Sequence, residues 1–251
     1  MLKKAKKPLL FVLGLLPFAV IGGFFTSIYA WEGYTPEAKA EILGQIASPQ
    51  TLYLMGTVQT VLYAAVFGFF GYLLSDKIGL MRPIRFEKRA VILTAALTLV
   101  LGVLLSSDSW IFGKLIPQIG ELYGNKPSVS TWIASITYGG VIEEVMMRLF
   151  VMSLTAFALW KLFFRKKEEV PTGVLISANV LSALLFAAGH LPSTITMFGA
   201  ITPLLLFRCF LLNSVGGLCF GHLYRKYGIQ YAMLSHMGAH IVWKLIWALF
   251  I

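Results

Sequence analysis

The sequence predicts an all-α fold, a polytopic bundle of seven or eight transmembrane helices, and three observations predict it. Of the 251 residues, 58% are hydrophobic and only 13% charged, against roughly 25% charged in an ordinary soluble domain. The mean hydropathy is +0.79. That is more apolar surface than one core of this length can hide, so lipid must solvate most of it. The apolar residues also fall into seven runs long enough to cross a bilayer, which takes roughly 20 helical residues.

In order, the first run, 9–30, follows Lys3, Lys4, Lys6 and Lys7 and has Ala30 near its end, as a signal peptide would. Its apolar stretch exceeds the 7–15 residues usual for a signal core, so it reads as a retained anchor. The second run, 51–75, is followed by Lys77, Arg82, Arg85, Lys88 and Arg89. The third, 90–106, is short. The segment 107–138 holds two weaker patches, around Trp110 to Ile119 and around Trp132 to Tyr138. One of them can lie at the interface or pair with its neighbour to make an eighth span. The fourth run, 139–161, leads into Lys161, Arg165, Lys166 and Lys167; the fifth and sixth are 171–191 and 199–224, with Arg225 and Lys226 after the sixth. The seventh is 229–250. Cys209 and Cys219 lie ten residues apart in the sixth run, about 15 Å along a helix, too far to pair. No internal repeat or linker divides the chain, which reads as a single membrane domain over 1–251.

A net charge of +10 does not indicate a nucleic-acid partner here. Nucleic-acid binders carry Lys and Arg as a solvated face or stripe, whereas these basic residues interrupt long apolar runs. The fifteen in the loops after runs two, four and six and before run one fall on one side. Only Lys39, Lys114 and Lys126 fall on the other. Positive loops stay inside, so the expected topology is multi-pass in the plasma membrane with a cytoplasmic N-terminus.

What remains inside the runs is Arg148, Arg208 and Lys244, with Glu143 and Glu144 as the only acids. Each costs at least ~2.5–3.5 kcal/mol at the bilayer centre, so it marks a pathway or a site. All four histidines, His190, His222, His236 and His240, lie in or at the ends of the last three runs. In Glu143-Glu144-Val145-Met146-Met147-Arg148, helical spacing pairs Glu144 with Arg148. Glu143, rotated about 100° away, faces another neighbour and is suited to act on water as a general base. The same residues can equally form a structural clamp between helices. His236 and His240 share one face of the seventh run, with Lys244 one turn further on. That spacing serves a metal, two donors to one oxygen, or interhelical hydrogen bonding. His190 ends the fifth run; His222, beside Tyr224 and Arg225, reads as an interfacial residue. Arg208 reads as a packing contact or a partner for a substrate carboxylate. Gly139, Gly140, Gly216 and Gly217 permit close helix approach.

Glu143-Glu144-x-x-x-Arg148, Phe186-x-x-x-His190 and His236-x-x-x-His240, in that order, resemble the three signature motifs of the CPBP family of intramembrane glutamic endopeptidases. This family is also called Abi or CAAX-protease self-immunity and includes the type II CAAX prenyl endopeptidases. The resemblance covers 129–251 as a catalytic core and leaves 1–128 as helices of generic membrane character. It implies an intramembrane active-site cavity. Catalytic Glu143 with His190 would activate a water, catalytic His236 and His240 would stabilise the oxyanion, and Arg148 would hold Glu144 in support. The family's third motif usually has Asn, sometimes Asp, where His240 stands. That departure leaves Glu143, His190, His236 and His240 open as zinc ligands, although the family implies no cofactor. A further tension is depth: the run boundaries put His190 near the outer surface and His236 near the inner one, unless a span is broken.

The function implied is an endopeptidase that cleaves a membrane-associated, prenylated or pheromone-like peptide by glutamate- and histidine-activated water. Its partners would be a peptide or membrane-protein substrate and the bilayer, with no nucleic acid. An alternative is a non-catalytic bacteriocin-immunity or scaffold protein that uses the same cavity for binding. A proton-coupled transporter fits the charges but lacks the expected internal repeat.

Overall fold

The computed structural model describes residues 2–251; among them the chain is 85% helix, with no strand. The helices are α1 (Leu2–Gly33), α2 (Pro36–Gln45), α3 (Pro49–Lys77), α4 (Lys88–Leu115) and α5 (Pro117–Tyr123). There follow a continuous rod α6 (Val129–Phe163), then α7 (Thr172–Gly189), α8 (Leu191–Phe198), α9 (Pro203–Tyr227) and α10 (Ile229–Phe250). Local chemistry sets the boundaries. Thr35, Ser48 and Thr202 cap α2, α3 and α9 with their side-chain oxygens, each followed by Pro at the first helical position, where a missing N–H costs nothing. Gly228, at φ 113°, ends α9 in a conformation other residues rarely adopt.

Burial runs opposite to that of a soluble protein. On α3 the buried residues are Thr60, Ala64, Gly68, Gly71 and Ser75, all small, while Leu54, Val58, Leu62 and Phe70 face outward. Small residues inside and large apolar residues outside are what close helix packing in lipid requires. Six helices are long and apolar enough to cross a membrane: those within Ala5–Gly33, Pro49–Lys77, Lys88–Leu115, Val129–Phe163, Thr172–Phe198 and Pro203–Tyr227. The protein is a multi-pass membrane protein.

Three expectations change. The third run is not short: α4 continues to Leu115, which places Asp108 within a membrane helix alongside the two glutamates. The segment 107–138 supplies no additional span. Its first patch ends α4 and enters the seven-residue α5, about 10 Å long, and its second is the start of α6. The seventh run forms the 22-residue α10, but it is not among the six, because His236, His240 and Lys244 dilute its apolar character. The rod α6 is central. Its middle packs against α1, α3, α7 and α10, while α4 covers α10 and α9 lies between α7 and α10. Gly102 of α4 makes the α4–α10 packing possible, since any side chain there would run into Val242 of α10.

Candidate active site

The central rod is not uniformly α-helical. Ser135–Glu143 and Val145–Met152 are π-helical, with Glu144 at the joint. The i→i+5 winding is rare and recurs at functional sites. Glu144 is completely buried. Its Oε1 meets the Arg148 guanidinium at 3.2 Å and accepts a hydrogen bond from His236 Nδ1 at 2.8 Å. The pairing expected from spacing is therefore present, and a histidine from α10 joins it. Arg148, also fully buried, stacks its guanidinium over Phe186 at 4.6 Å and Phe220 at 5.5 Å. Two aromatic faces hold the cation where water cannot. Glu143 has no part in this cluster. It is half-buried and lines a cavity of about 770 Å³.

The three histidines of the motifs line the same cavity. His190 sits at the turn from α7 into α8, and its Nδ1 lies 2.8 Å from the Phe186 carbonyl oxygen. A carbonyl only accepts, so Nδ1 carries the proton and Nε2 of the neutral ring is left as an acceptor. His236 stacks on Phe220 at 4.4 Å and on His240 at 4.9 Å. His240 Nε2 lies 3.1 Å from where a Cβ on Gly139 would stand, and Glu143 Oε2 lies 3.8 Å from the same point. Gly139 thus lets an imidazole from α10 come in beside the free carboxylate. The run boundaries put His190 and His236 at different depths, yet the Phe186 ring lies 5.9 Å from His236 and 4.7 Å from His190, so one aromatic side chain stands close to both.

Residues 125–242 match the family model described as type II CAAX prenyl endopeptidase, Rce1-like. Over this stretch, a little under half of the chain, the protein is similar to the CPBP family. The matched residues take in Glu143, Glu144, Arg148, His190, His236 and His240, and the family matched is one of proteases. No curated protein and no solved structure matches it.

Around this CPBP core lie residues the sequence reading placed differently or passed over. Arg208 has a partner inside the protein: its Nε and Nη2 donate to the two carboxylate oxygens of Asp108 at 2.6 and 2.5 Å. Tyr123 donates its hydroxyl to Asp108 at 3.0 Å and accepts from Trp243 Nε1 at 3.1 Å. Trp243 in turn lies 5.8 Å from His240. Asp108 was obscured by its setting, Ser106-Ser107-Asp108-Ser109, which reads as a polar loop. His222 is not among the cavity-lining residues. Among the described residues no group of three or more His, Cys, Asp or Glu is gathered as a metal shell. Cys209 and Cys219 are free thiols.

Proposed function

We propose that the protein is an intramembrane endopeptidase that hydrolyses a peptide bond of a membrane-associated substrate, a prenylated or pheromone-like peptide among them, without a metal cofactor. The observation that carries this reading is the division between the two glutamates. Glu144 is committed to Arg148 and His236, which leaves Glu143 as the carboxylate facing the cavity beside His190, His236 and His240. Glu143 takes a proton from a water that His190 Nε2 helps to orient, and the hydroxide adds to the scissile carbonyl. His240, whose Nε2 stands on the Gly139 side beside Glu143, supplies an N–H toward the developing oxyanion, with His236 next to it. One such donor is typically worth ~2.7–4 kcal/mol in the transition state. Glu143 then returns its proton to the leaving amine. Imidazole can fill the role of the family's usual Asn because either group can aim an N–H at the oxyanion.

The asymmetry of basic residues supports a cytoplasmic N-terminus in the plasma membrane, with α10 as a seventh span whose polar face turns to the cavity. The test is Glu143→Ala in purified protein, assayed on prenylated and unmodified membrane peptides. Cleavage should fall to background while the helical content is unchanged. Cleavage that persists undiminished overturns the reading, and protection of cells against a bacteriocin that survives Glu143→Ala and His190→Ala would favour a binding role.

A further inference from the structure

We propose that Lys244 is the anion-binding residue of the cavity and that it receives a carboxylate of the peptide substrate, an inference that rests on the hydrolase reading above. Lys244 is fully buried, and its Nζ has no hydrogen-bond partner. It lines the cavity, on the face of α10 that carries His236 and His240, one turn of about 6 Å beyond His240. It also lies beyond the last residue of the CPBP match, so the family's motifs do not account for it.

No acid of the protein answers this cation. The cavity is lined by two carboxylates, Glu32 and Glu143. Glu32 Oε2 is taken by Ser128 and Ser130 at 2.8 and 2.5 Å, Glu143 is the proposed base, and among the described residues no carboxylate oxygen stands within 4.0 Å of Lys244 Nζ. The face of the Trp243 ring lies 4.3 Å from it, and Trp243 is itself held by its hydrogen bond to Tyr123. An aromatic face steadies an ammonium without neutralising it. A lone ammonium in an apolar wall is costly unless something pairs with it, and the group that completes the site therefore arrives with the ligand. The other lysine lining the cavity, Lys126, is exposed, and no arginine lines it, so Lys244 is the buried cation, and a single buried lysine suits a singly charged carboxylate; a phosphate calls for more donors arranged as a fork. A peptide offers that carboxylate in two places, its C-terminus or an Asp or Glu side chain. Either would fix the chain in register against Glu143 and make Lys244 a determinant of specificity.

The experiment measures binding, so it does not depend on turnover. A fluorescent S-prenylated hexapeptide is prepared as the C-terminal acid, as the C-terminal amide, and as an amide with aspartate in the last position. Each is titrated by fluorescence polarisation against the full chain in lipid nanodiscs. The acid should bind roughly tenfold or more tightly than the plain amide. Recovery with the aspartyl amide identifies a side-chain carboxylate as sufficient; no recovery identifies the C-terminus. Lys244→Met should erase the preference and Lys244→Arg should retain it, with circular dichroism showing that both variants fold. Equal binding of all three peptides to the unaltered protein, no binding of any, or a preference that survives in folded Lys244→Met overturns the proposal. Persistent cleavage by Glu143→Ala would instead overturn the hydrolase reading and leave the binding preference to be judged by itself.

Discussion

Among the described residues two arginine–carboxylate pairs hold this bundle, one fully buried and one largely so, and they do different work. Glu144 and Arg148 lie on one helix, four residues apart, at 3.2 Å, and Glu144 also holds His236 of α10. Asp108 and Arg208 lie 100 residues apart on α4 and α9, joined by two hydrogen bonds and tied through Tyr123 to Trp243. In the proposed reaction the first pair leaves Glu143 free to act by occupying its neighbour. The second fastens four helices, α4, α5, α9 and α10, beside Trp243, which lines the cavity. A buried ion pair is weak evidence of stability in itself, so what distinguishes the two is the third residue each one fixes.

The largest separation between them should come from paired substitutions. Glu144→Ala and Asp108→Ala each strand a buried guanidinium, and each should cost ~3–5 kcal/mol of stability, read from equilibrium unfolding in mixed micelles. Replacing both partners with apolar residues, Asp108→Leu with Arg208→Met and Glu144→Leu with Arg148→Met, should restore most of that stability at both sites. Activity should return only at the Asp108 site, because Glu144→Leu leaves His236 without its acceptor. Full peptidase activity in the Glu144→Leu, Arg148→Met protein would show that the first pair is merely structural.

A smaller effect is expected from Gly139→Ala. The new methyl would stand 3.1 Å from His240 Nε2 and 3.8 Å from Glu143 Oε2. Displacing either group by a fraction of an ångström should lower kcat by about tenfold or more, while stability changes by less than about 1 kcal/mol. Unchanged kcat would mean that the imidazole and the carboxylate need not meet. The smallest effect belongs to Tyr123→Phe. It removes one hydroxyl shared by Asp108 and Trp243 and should cost ~1–2 kcal/mol of stability, with cleavage per folded molecule nearly unaltered. A loss of activity as large as that of Gly139→Ala would move the second pair into the catalytic apparatus.

What could be read in the sequence follows the range of each interaction. Helical spacing alone assigned Glu144 to Arg148 and left Glu143 free, because both facts are contained in six consecutive residues. The order of the three motifs brought His190, His236 and His240 into consideration, but only the fold shows that a helix broken at His190 puts them on one cavity. The partner of Arg208 was out of reach. One hundred residues separate it from Asp108, and no periodicity carries information over that distance. The link from Glu144 to His236 was missed for the same reason, since 92 residues lie between them. The count of crossings was obscured by the residues that give the molecule its site, because the polar groups of α10 dilute the apolar signal by which a span is recognised.

The π-helical winding of Ser135–Met152 has a consequence for how the rod meets its neighbours. Each α-helical residue advances the side chain by about 100° around the axis, and a wider turn advances it by less, so the segment accumulates a phase difference between its two ends. The α-helical start, Val129–Ala134, packs on α1, and the α-helical end, Ser153–Phe163, packs on α7 and α3. One continuous helix can therefore address different partners at its two ends, with the glutamate pair displayed where the phase is being shifted. A single helical wheel drawn for this segment has no one set of faces to describe.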